Sequence, residues 1–184
     1  MYKYIKRLFD IIISLILLIV FSPILLIVVL ITIIDLGFPI HNTIRERIGK
    51  DNKIFIMYKI RTKKLGKEYV RDGSQYTKVS RLIDFLRLNE IPQFINVLKG
   101  DMSIIGPRPY IPGEGFDGKK YYKRHSVRPG LTGLSQIKGG RFISLKDKEY
   151  YDNYYADNIS FILDLKILLI TPFALIKQLF IHIK

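Results

Sequence analysis

The chain has 184 residues, which suits one compact domain together with a membrane element. Lys and Arg number 30 against 16 Asp and Glu, and the formal net charge of +14 favours an anionic partner such as a lipid headgroup, a nucleotide or a nucleic acid. The chain contains no Cys, which excludes disulfides and thiolate metal sites, and its 3 His residues lack the spacing of zinc ligands.

The N-terminal segment from Ile11 to Ile34 is apolar almost throughout. A run of about 18 apolar residues or more is a candidate membrane helix. The apolar core of a cleaved signal peptide is normally about 7–15 residues long and ends at a small-residue site. This segment is longer, and the first Ala of the chain is Ala156, so a cleaved signal peptide is disfavoured.

Ser22 and Pro23 lie at the centre of this segment. Proline kinks a helix, and a neighbouring hydroxyl can satisfy the carbonyl that loses its donor. Each arm is then roughly 16 Å long, about half of a bilayer. The positive-inside rule resists export of either flank, because both are basic: Lys3, Lys6 and Arg7 before the segment, and Arg45, Arg47, Lys50 and Lys53 after it. We therefore expect a re-entrant helix over residues 1–36, with a spanning helix as the alternative.

Residues 37–158 form the predicted globular domain, and the fold class is α+β, mainly helical. The predicted elements are, in chain order, a strand at 53–60, a polar loop at 66–80, a helix at 82–98 broken near Pro92, ordered Gly- and Pro-rich loops at 101–141 and a helix at 145–158. Gly100 is a plausible stop for the helix at 82–98.

Residues 159–184 form a second apolar segment, which is interrupted by several charged and polar residues. This pattern predicts an interfacial amphipathic helix packed on the domain better than a spanning one. Tyrosines precede it and are candidates for the headgroup level: Tyr150, Tyr151, Tyr154 and Tyr155. Core packing of this helix is the equally simple alternative.

Asn89 and Glu90 precede Pro92, and proline is favoured at the first position of a helix. The pair is therefore expected at a helix N-terminus, where free N–H groups favour a phosphate. A carboxylate beside a phosphate also suggests a divalent cation between them, with Glu90 as the metal ligand. Simple helix capping by Asn89 is the alternative.

Arg108 lies between Pro107 and Pro109, which hold it on a stiff backbone. The planar guanidinium group of arginine matches phosphate oxygens in a bidentate way, so we predict that Arg108 binds a phosphate. A solvated arginine on a surface turn is the alternative.

Two further stretches add candidate cations. Arg128 begins a Pro- and Gly-containing turn that continues through Gln136 to Arg141, and its small residues allow a ligand to approach the backbone. Lys59 and Arg61 lie at the end of the strand candidate and would share one face of it. The sequence contains no Walker loop, Rossmann fingerprint, G-x-S-x-G or zinc motif, and no RNA-binding pattern of interleaved basic and aromatic residues.

These motifs together resemble the monotopic phosphoglycosyl transferases, bacterial sugar transferases that begin glycan assembly on polyprenol phosphate. The short chain is similar to the minimal members, which lack an additional N-terminal membrane domain. The matching stretches occur in the family's order and cover nearly the whole chain: KRLFDIIISLILLIVFSPILLI, IFIMYKIRT, LNEIPQFINVLKGDMSIIGPRP, RPGLTGLSQIKG and YYADNISFILDLKILLIT.

The resemblance implies a re-entrant helix bent at Ser22 and Pro23, with the catalytic domain at the cytoplasmic face of the bacterial inner membrane. It implies Mg²⁺ and transfer of a sugar-1-phosphate from a UDP-sugar to polyprenol (undecaprenyl) phosphate, with release of UMP. Such a reaction is the first membrane step in the assembly of a capsule, O-antigen, exopolysaccharide or glycoprotein. The substrate-binding residues expected on this basis are Lys59, Arg61, Pro107, Arg108, Arg128, Gln136 and Arg141.

The family reaction proceeds through a covalent phosphosugar on the Asp of an Asp-Glu pair, and here the chain departs from the pattern. Its pair is Asn89-Glu90, and a neutral amide is a poor nucleophile toward phosphorus. Position 89 is thus an altered nucleophile position, and three explanations are open. Asn89 is an engineered or deamidation-prone substitution, or Glu90 or the polyprenol phosphate attacks instead, or the chain only binds. The segment before the pair also differs, so Arg87 receives no role.

Three functional hypotheses follow. The first is an enzyme of sugar-phosphate transfer, with a UDP-sugar, polyprenol phosphate and the bilayer as partners and no nucleic acid. The second is a binding-only relative, since Asn89 replaces the nucleophile. The third is a polybasic scaffold for anionic lipid or nucleic acid, whose binding would depend on net charge and steeply on salt.

Overall fold

The computed structural model describes residues 2–42, 45–70, 72–113 and 123–183, with the side chains of 141 and 178–183 left out. The described part is mainly helical with two small sheets, which confirms the predicted mixture of helix and strand. The elements are α1 (Tyr2–Leu36), β1 (Glu46–Ile48), β2 (Ile54–Ile56), α2 (Lys78–Phe85), α3 (Gln93–Lys99), β3 (Ser103–Ile105), β4 (Gly130–Thr132), α4 (Leu134–Ile137), α5 (Leu145–Asp157) and α6 (Phe161–Ile183).

The long helix α1 continues through the position where the sequence predicted a break, with Pro23 inside it. The Ser22 hydroxyl donates a hydrogen bond of 2.8 Å to the carbonyl oxygen of Ile19. Ile19 is the carbonyl that Pro23, which has no N–H, leaves without its helical donor. The predicted role of the hydroxyl is therefore confirmed, and the position at which the kink is expected lies inside one continuous helix.

Two separate stretches of α1 are buried against the rest of the chain. Asp10 and Ser14 are buried in its first half, and Val28 and Thr32 in its second half. No residue between positions 15 and 27 is buried, although most are large and apolar. Each half therefore packs through an i, i+4 pair, while the middle around Pro23 is uncovered.

Both ends of α1 are tied to the domain by hydrogen bonds to main-chain carbonyls. Near the start, the Arg7 guanidinium donates to the carbonyls of Val97 and Leu98 in α3 at 2.6 and 2.9 Å. At the far end, the Arg61 guanidinium donates to the carbonyls of Leu36 and Gly37 at 2.8 and 2.7 Å. Arg7 lies near the start of α1 and Leu36 ends it, so these contacts hold both ends of the helix on one domain.

The parallel pair β3–β4 forms the centre of the larger core and depends on glycine at its closest approach. A Cβ atom on Gly130 would lie 2.1 Å from the amide nitrogen of Gly106, and one on Gly106 would lie 2.3 Å from the carbonyl oxygen of Arg128. Only glycine allows two backbones so close together. The glycines of the two sequence motifs therefore fit these strands together.

Helix α6 packs one side on this core and leaves a second side apolar and exposed. Asp164 and Ile167 are buried, with 5% and 0% of their surface exposed. The exposed side carries large apolar residues: Phe161, Ile162, Leu165, Leu168, Leu169, Phe173 and Ile176. Among the described residues, α1 is nevertheless the one helix long and apolar enough to cross a membrane.

The tyrosines of α5 divide between the core and the surface. Tyr155 is only 1% exposed and its hydroxyl donates to Asp164 of α6 at 2.7 Å, so the expectation of a headgroup position is wrong for this residue. Tyr150 and Tyr154 are exposed. The Asp164 carboxylate also accepts a hydrogen bond from Lys6, which joins the start of α1 to the start of α6.

Candidate active site

The chain between β2 and position 62 is held against α3 by one asparagine. The Asn96 side-chain amide donates to the carbonyl of Ile56 at 2.7 Å, and its oxygen accepts from the amide nitrogen of Tyr58 at 2.8 Å. Its own carbonyl accepts from Gly100, which ends α3 in the left-handed region at φ +91°. The NVLKG motif thus positions the backbone that carries Lys59, a role that the sequence did not reveal.

Asn89 and Glu90 lie in a 3-10 turn, Leu88–Glu90, immediately before α3, which begins at Gln93. This placement confirms the prediction that the pair precedes a helix. The turn starts after Arg87, which adopts a left-handed φ of +56° that is uncommon for residues other than glycine. The carbonyl of Asn89 accepts from the amide nitrogen of Ile60, so the turn and the Lys59 segment are in direct contact.

The Glu90 carboxylate lies among cations. Its Oε1 is 3.1 Å from Lys59 Nζ and 3.6 Å from an Arg87 guanidinium nitrogen, and 25% of its side chain is exposed. Burial alone would raise the pKa of Glu90, but the charges of Lys59, Arg87 and Arg108 outweigh burial and lower the pKa to about 2. Glu90 is therefore ionised throughout the neutral range inside a positive environment.

Arg108 combines an exposed side chain with a fixed backbone. The carbonyl of the preceding Pro107 accepts from Gly130 at 2.9 Å, and the carbonyl of Arg108 itself accepts from the guanidinium of the buried Arg124. Arg108 is also close enough to Glu90 to lower its pKa. The structure therefore brings Lys59, Arg108 and Glu90 together, as the sequence predicted.

Asn89 is fully buried and bonded to a second carboxylate. Its Nδ2 donates to Asp84 Oδ1 at 2.8 Å, and Thr62 Oγ1 donates to the same oxygen at 3.1 Å. The Oδ1 atom of Asn89 is buried and has no hydrogen-bond partner within the part of the chain that the structure describes. Asp84 and Asn89 therefore belong to one hydrogen-bonded group, and no motif spacing in the sequence indicated this contact.

Arg61 does not join this cluster. Its side chain is 2% exposed and donates to the carbonyls of Leu36, Gly37, Pro39 and Lys63. The strand β2 ends at Ile56, so the alternation expected for Lys59 and Arg61 does not hold beyond it. We therefore correct the prediction that Arg61 is a phosphate-binding cation: it binds the end of α1.

The third motif is placed elsewhere. Arg128 donates to the carbonyl of Gly100 and lines a cavity of about 80 Å³ together with Lys3, Arg7 and Lys50. Gln136 lies on α4, where its side-chain oxygen accepts from Ser135. Arg141 lies in a 3-10 turn, Gly140–Phe142, and its side chain is outside the described part. The expected substrate contacts of these residues stay predictions.

Glu90 is the acidic side chain that the sequence predicts as the metal ligand. The described ranges contain no group of three or more His, Cys, Asp or Glu residues able to hold a metal ion. Mg²⁺, however, usually binds one or two carboxylates together with substrate phosphates and water. The ionised Glu90 and the unpartnered Asn89 Oδ1 are oxygen ligands of the type that Mg²⁺ accepts.

Sequence comparisons extend over nearly the whole chain. The chain is 40% identical over 174 residues to an uncharacterized sugar transferase, EpsL, of Bacillus subtilis (strain 168), covering 90% of this chain and 84% of that protein. It is 36% identical over 179 residues to the UDP-N-acetylgalactosamine-undecaprenyl-phosphate N-acetylgalactosaminephosphotransferase of Aeromonas hydrophila, covering 90% of this chain and 42% of that protein.

A third relative is the UDP-glucose:undecaprenyl-phosphate glucose-1-phosphate transferase of Klebsiella pneumoniae, which is 35% identical over 183 residues and of which the chain spans 39%. The chain thus spans about two fifths of the length of these last two proteins. The family model described as Bacterial sugar transferase matches residues 1–178. The chain therefore belongs to the bacterial sugar transferase family, as its motifs predicted.

Proposed function

We propose that this chain transfers a sugar-1-phosphate from a UDP-sugar to undecaprenyl phosphate, with release of UMP, as the first membrane step of bacterial glycan assembly. The observation that carries the proposal is the ionised Glu90 among Lys59, Arg87 and Arg108. Several cations around one carboxylate can hold a diphosphate and a divalent cation together, as phosphoryl transfer requires.

The relatives support the same reaction class by their names. Two of them are named as transferases of N-acetylgalactosamine phosphate and of glucose-1-phosphate to undecaprenyl phosphate. The matched stretch covers about 90% of this chain in both cases, so it includes positions 59, 90 and 108. We expect the contacts between this chain and its substrate to determine which sugar is transferred.

Mg²⁺ is part of the proposal. Glu90 would hold it together with oxygens of the bound diphosphate, and the unpartnered Oδ1 of the neighbouring residue Asn89 is a second candidate oxygen ligand. When bound, the ion would neutralise part of the negative charge on the diphosphate. Lys59 and Arg108 bind and orient the remaining phosphate oxygens.

We also propose that α1 is re-entrant and that the domain lies on the cytoplasmic face of the membrane. The contacts of Arg7 and Arg61 at opposite ends of α1, and the absence of buried residues between positions 15 and 27, support this arrangement. The apolar exposed sides of α1 and α6 are then covered by lipid.

Single-cysteine labelling tests the topology, because the chain has no Cys of its own. Tyr4→Cys and Phe38→Cys place a thiol at exposed positions on either side of the membrane segment. A re-entrant helix predicts that an impermeant maleimide labels neither variant in intact cells and both after permeabilisation. Labelling of one variant in intact cells would show a spanning helix.

A binding-only protein is the second candidate function, and Asn89 is the observation that favours it. Its amide replaces the carboxylate that the family uses as the nucleophile, as the resemblance implies. This candidate predicts that the chain binds UDP-sugars through Lys59 and Arg108 but releases no UMP.

Release of UMP distinguishes the two candidates. The full chain in lipid nanodiscs is supplied with Mg²⁺, undecaprenyl phosphate and, in turn, UDP-glucose, UDP-galactose and UDP-N-acetylgalactosamine, and UMP is measured. We expect release with at least one donor, and Arg108→Ala to lower kcat/KM at least about tenfold, since a charge-assisted phosphate contact is lost.

Lys146→Ala is the matched control, because it removes one exposed positive charge from α5, away from Glu90. It should leave kcat/KM within about twofold of the unmodified chain, since a single exposed charge contributes little. Binding of each donor without UMP release would favour the binding-only protein. Equal effects of both variants, with steep salt dependence, would favour a polybasic scaffold.

A further inference from the structure

Asp84 is a carboxylate in contact with position 89 to which the family resemblance gives no role. It lies in the last turn of α2, and its Oδ1 is 2.8 Å from Nδ2 of Asn89, the altered nucleophile position. A carboxylate oxygen is therefore present one hydrogen-bond length from the group that position 89 provides.

The partners of Asp84 are all neutral. Its Oδ1 accepts from Asn89 and from the Thr62 hydroxyl at 3.1 Å, and its Oδ2 accepts from the Tyr76 hydroxyl at 3.2 Å. Within the described ranges, no Lys, Arg or His nitrogen lies within 4.0 Å of Asp84, as every ion pair found there involves other acids.

Asp84 and Glu90 therefore differ in what they can do. Glu90 is ion-paired with Lys59 and Arg87, an arrangement suited to a ligand that holds substrate and metal. Asp84 is oriented by three hydrogen bonds and is not neutralised by a cation. An oriented carboxylate without a counter-charge is a better oxygen nucleophile than an ion-paired one.

The position of Asp84 in its helix is also electrostatically unfavourable. An acidic residue in the last turn of a helix faces the negative end of the helix dipole. The side chain is half-buried, so water offsets this unfavourable interaction over only part of its surface. Neither helix formation nor solubility explains an Asp at this point.

We propose that Asp84 is the nucleophile of this chain and that Asn89 positions it. This inference rests on the proposed transfer of a sugar-1-phosphate. An oxygen of Asp84 attacks the β-phosphorus of the UDP-sugar, an O–P bond forms, and the bond from that phosphorus to the bridging oxygen breaks. UMP leaves with the electron pair of the broken bond, and Asp84 carries the phosphosugar as an acyl phosphate.

The second step regenerates the carboxylate. A phosphate oxygen of undecaprenyl phosphate attacks the same phosphorus, and the bond between phosphorus and Asp84 breaks. The products are the undecaprenyl diphosphate sugar and the free Asp84 carboxylate, so atoms and charge balance without an additional reactant. Asn89 keeps its amide because a carboxylate there would lie about 3 Å from Asp84, and two carboxylates so close cannot both ionise.

The test maps the intermediate by mass. The full chain in nanodiscs is incubated with Mg²⁺ and the UDP-sugar that gives UMP release, without undecaprenyl phosphate. Hydroxylamine then displaces the phosphosugar and leaves a hydroxamate, and peptide mass spectrometry of the hydroxamate identifies the residue that carried the adduct. We expect the adduct on Asp84. An adduct on Glu90 or any other residue, or turnover with no adduct, would overturn the proposal.

Two variants separate nucleophile from structural support. Asp84→Asn keeps the size of the side chain and an oxygen that accepts hydrogen bonds, so UMP release should fall at least about 100-fold while UDP-sugar binding changes less than about threefold. The double variant Asp84→Asn, Asn89→Asp keeps the hydrogen bond between the two side chains but exchanges the carboxylate and the amide. It should restore UMP release to within about tenfold, with the adduct on position 89.

The outcomes distinguish this inference from the proposed function. If the unmodified chain releases no UMP from any donor, the proposed function itself fails. If the unmodified chain turns over and Asp84→Asn remains within about threefold of it, the function stands and Asp84 is not the nucleophile. Mapping the adduct on the unmodified chain identifies the nucleophile even if a variant folds poorly.

Discussion

Glu90→Gln is expected to lower UMP release by about 1,000-fold, because it removes a charged group that acts on the phosphates or on a metal bound to them. The substituted amide is neutral, so Lys59, Arg87 and Arg108 would face one another without the acid that now lies between them. The measurement is kcat for the preferred UDP-sugar with saturating Mg²⁺ and undecaprenyl phosphate.

Glu46→Gln is the control for this change, since Glu46 is an exposed acid on β1 and the substitution is chemically the same. Its kcat should stay within about twofold of the unmodified chain. A Glu90→Gln variant that retains more than a tenth of the activity would contradict the role of Glu90 as the metal-binding acid. The apparent Mg²⁺ requirement, measured by titration, should rise in the same variant.

Asp152→Asn is expected to destabilise the fold by about 3–5 kcal/mol, because it removes the carboxylate that pairs with the buried Arg124 guanidinium. Asp152 and Arg124 are 3.1 Å apart, and each side chain is only 1% exposed. The Arg124 guanidinium also lies 3.6 Å from the centre of the Tyr110 ring, and the Ser135 hydroxyl donates to Asp152 at 2.7 Å. Urea unfolding followed by circular dichroism measures the free energy of unfolding.

Asp157→Asn is a matched control for this second change. Asp157 in α5 pairs with Lys123, in the segment before β4, at 2.7 Å. This ion pair joins the same two parts of the chain as the Arg124–Asp152 pair, but the side chains of Asp157 and Lys123 are 43% and 60% exposed. An exposed ion pair contributes about 1 kcal/mol at most, so the loss should be at least twofold to threefold smaller than for Asp152→Asn. Equal losses would show that burial of the Arg124–Asp152 pair has no special effect.

The buried pair connects stability to the candidate site. Arg124 donates to the carbonyl of Arg108, so the backbone that presents the Arg108 side chain is bonded directly to the Arg124–Asp152 pair. The stiffness that the sequence attributed to Pro107 and Pro109 is therefore only part of the support of Arg108. A folded Asp152→Asn variant should accordingly also bind UDP-sugar more weakly than the Asp157→Asn control.

Predictions that rest on local chemistry agree best with the structure. Pro92 placed the pair Asn89 and Glu90 before a helix, and Gly100 was predicted as the stop of that helix; both are confirmed, since the residues flanking α3 depend mainly on local backbone preferences. The placement of Glu90 near Lys59 and Arg108 followed from shared chemistry and is also confirmed.

Predictions that needed the direction of a long side chain agree less well. Arg61 was expected beside Lys59, but it reaches back to the end of α1, because the backbone after Ile56 is not a regular strand. Arg87 was left without a role, although it contacts Glu90 three residues later. An arginine side chain is long enough to reach several partners, and only the packed fold selects one.

The sequence alone indicated the family, through the resemblance of its motifs. It also determined the apolar segment, the helix between positions 89 and 100 and the chemical character of the site, because these follow from composition, periodicity and short-range backbone preferences. Only the tertiary structure decided which cations meet Glu90, which arginines bind main-chain carbonyls, and that Asp84 contacts Asn89. The reason is physical: hydrogen bonds and ion pairs between distant residues depend on how whole elements pack, and no local pattern encodes that packing.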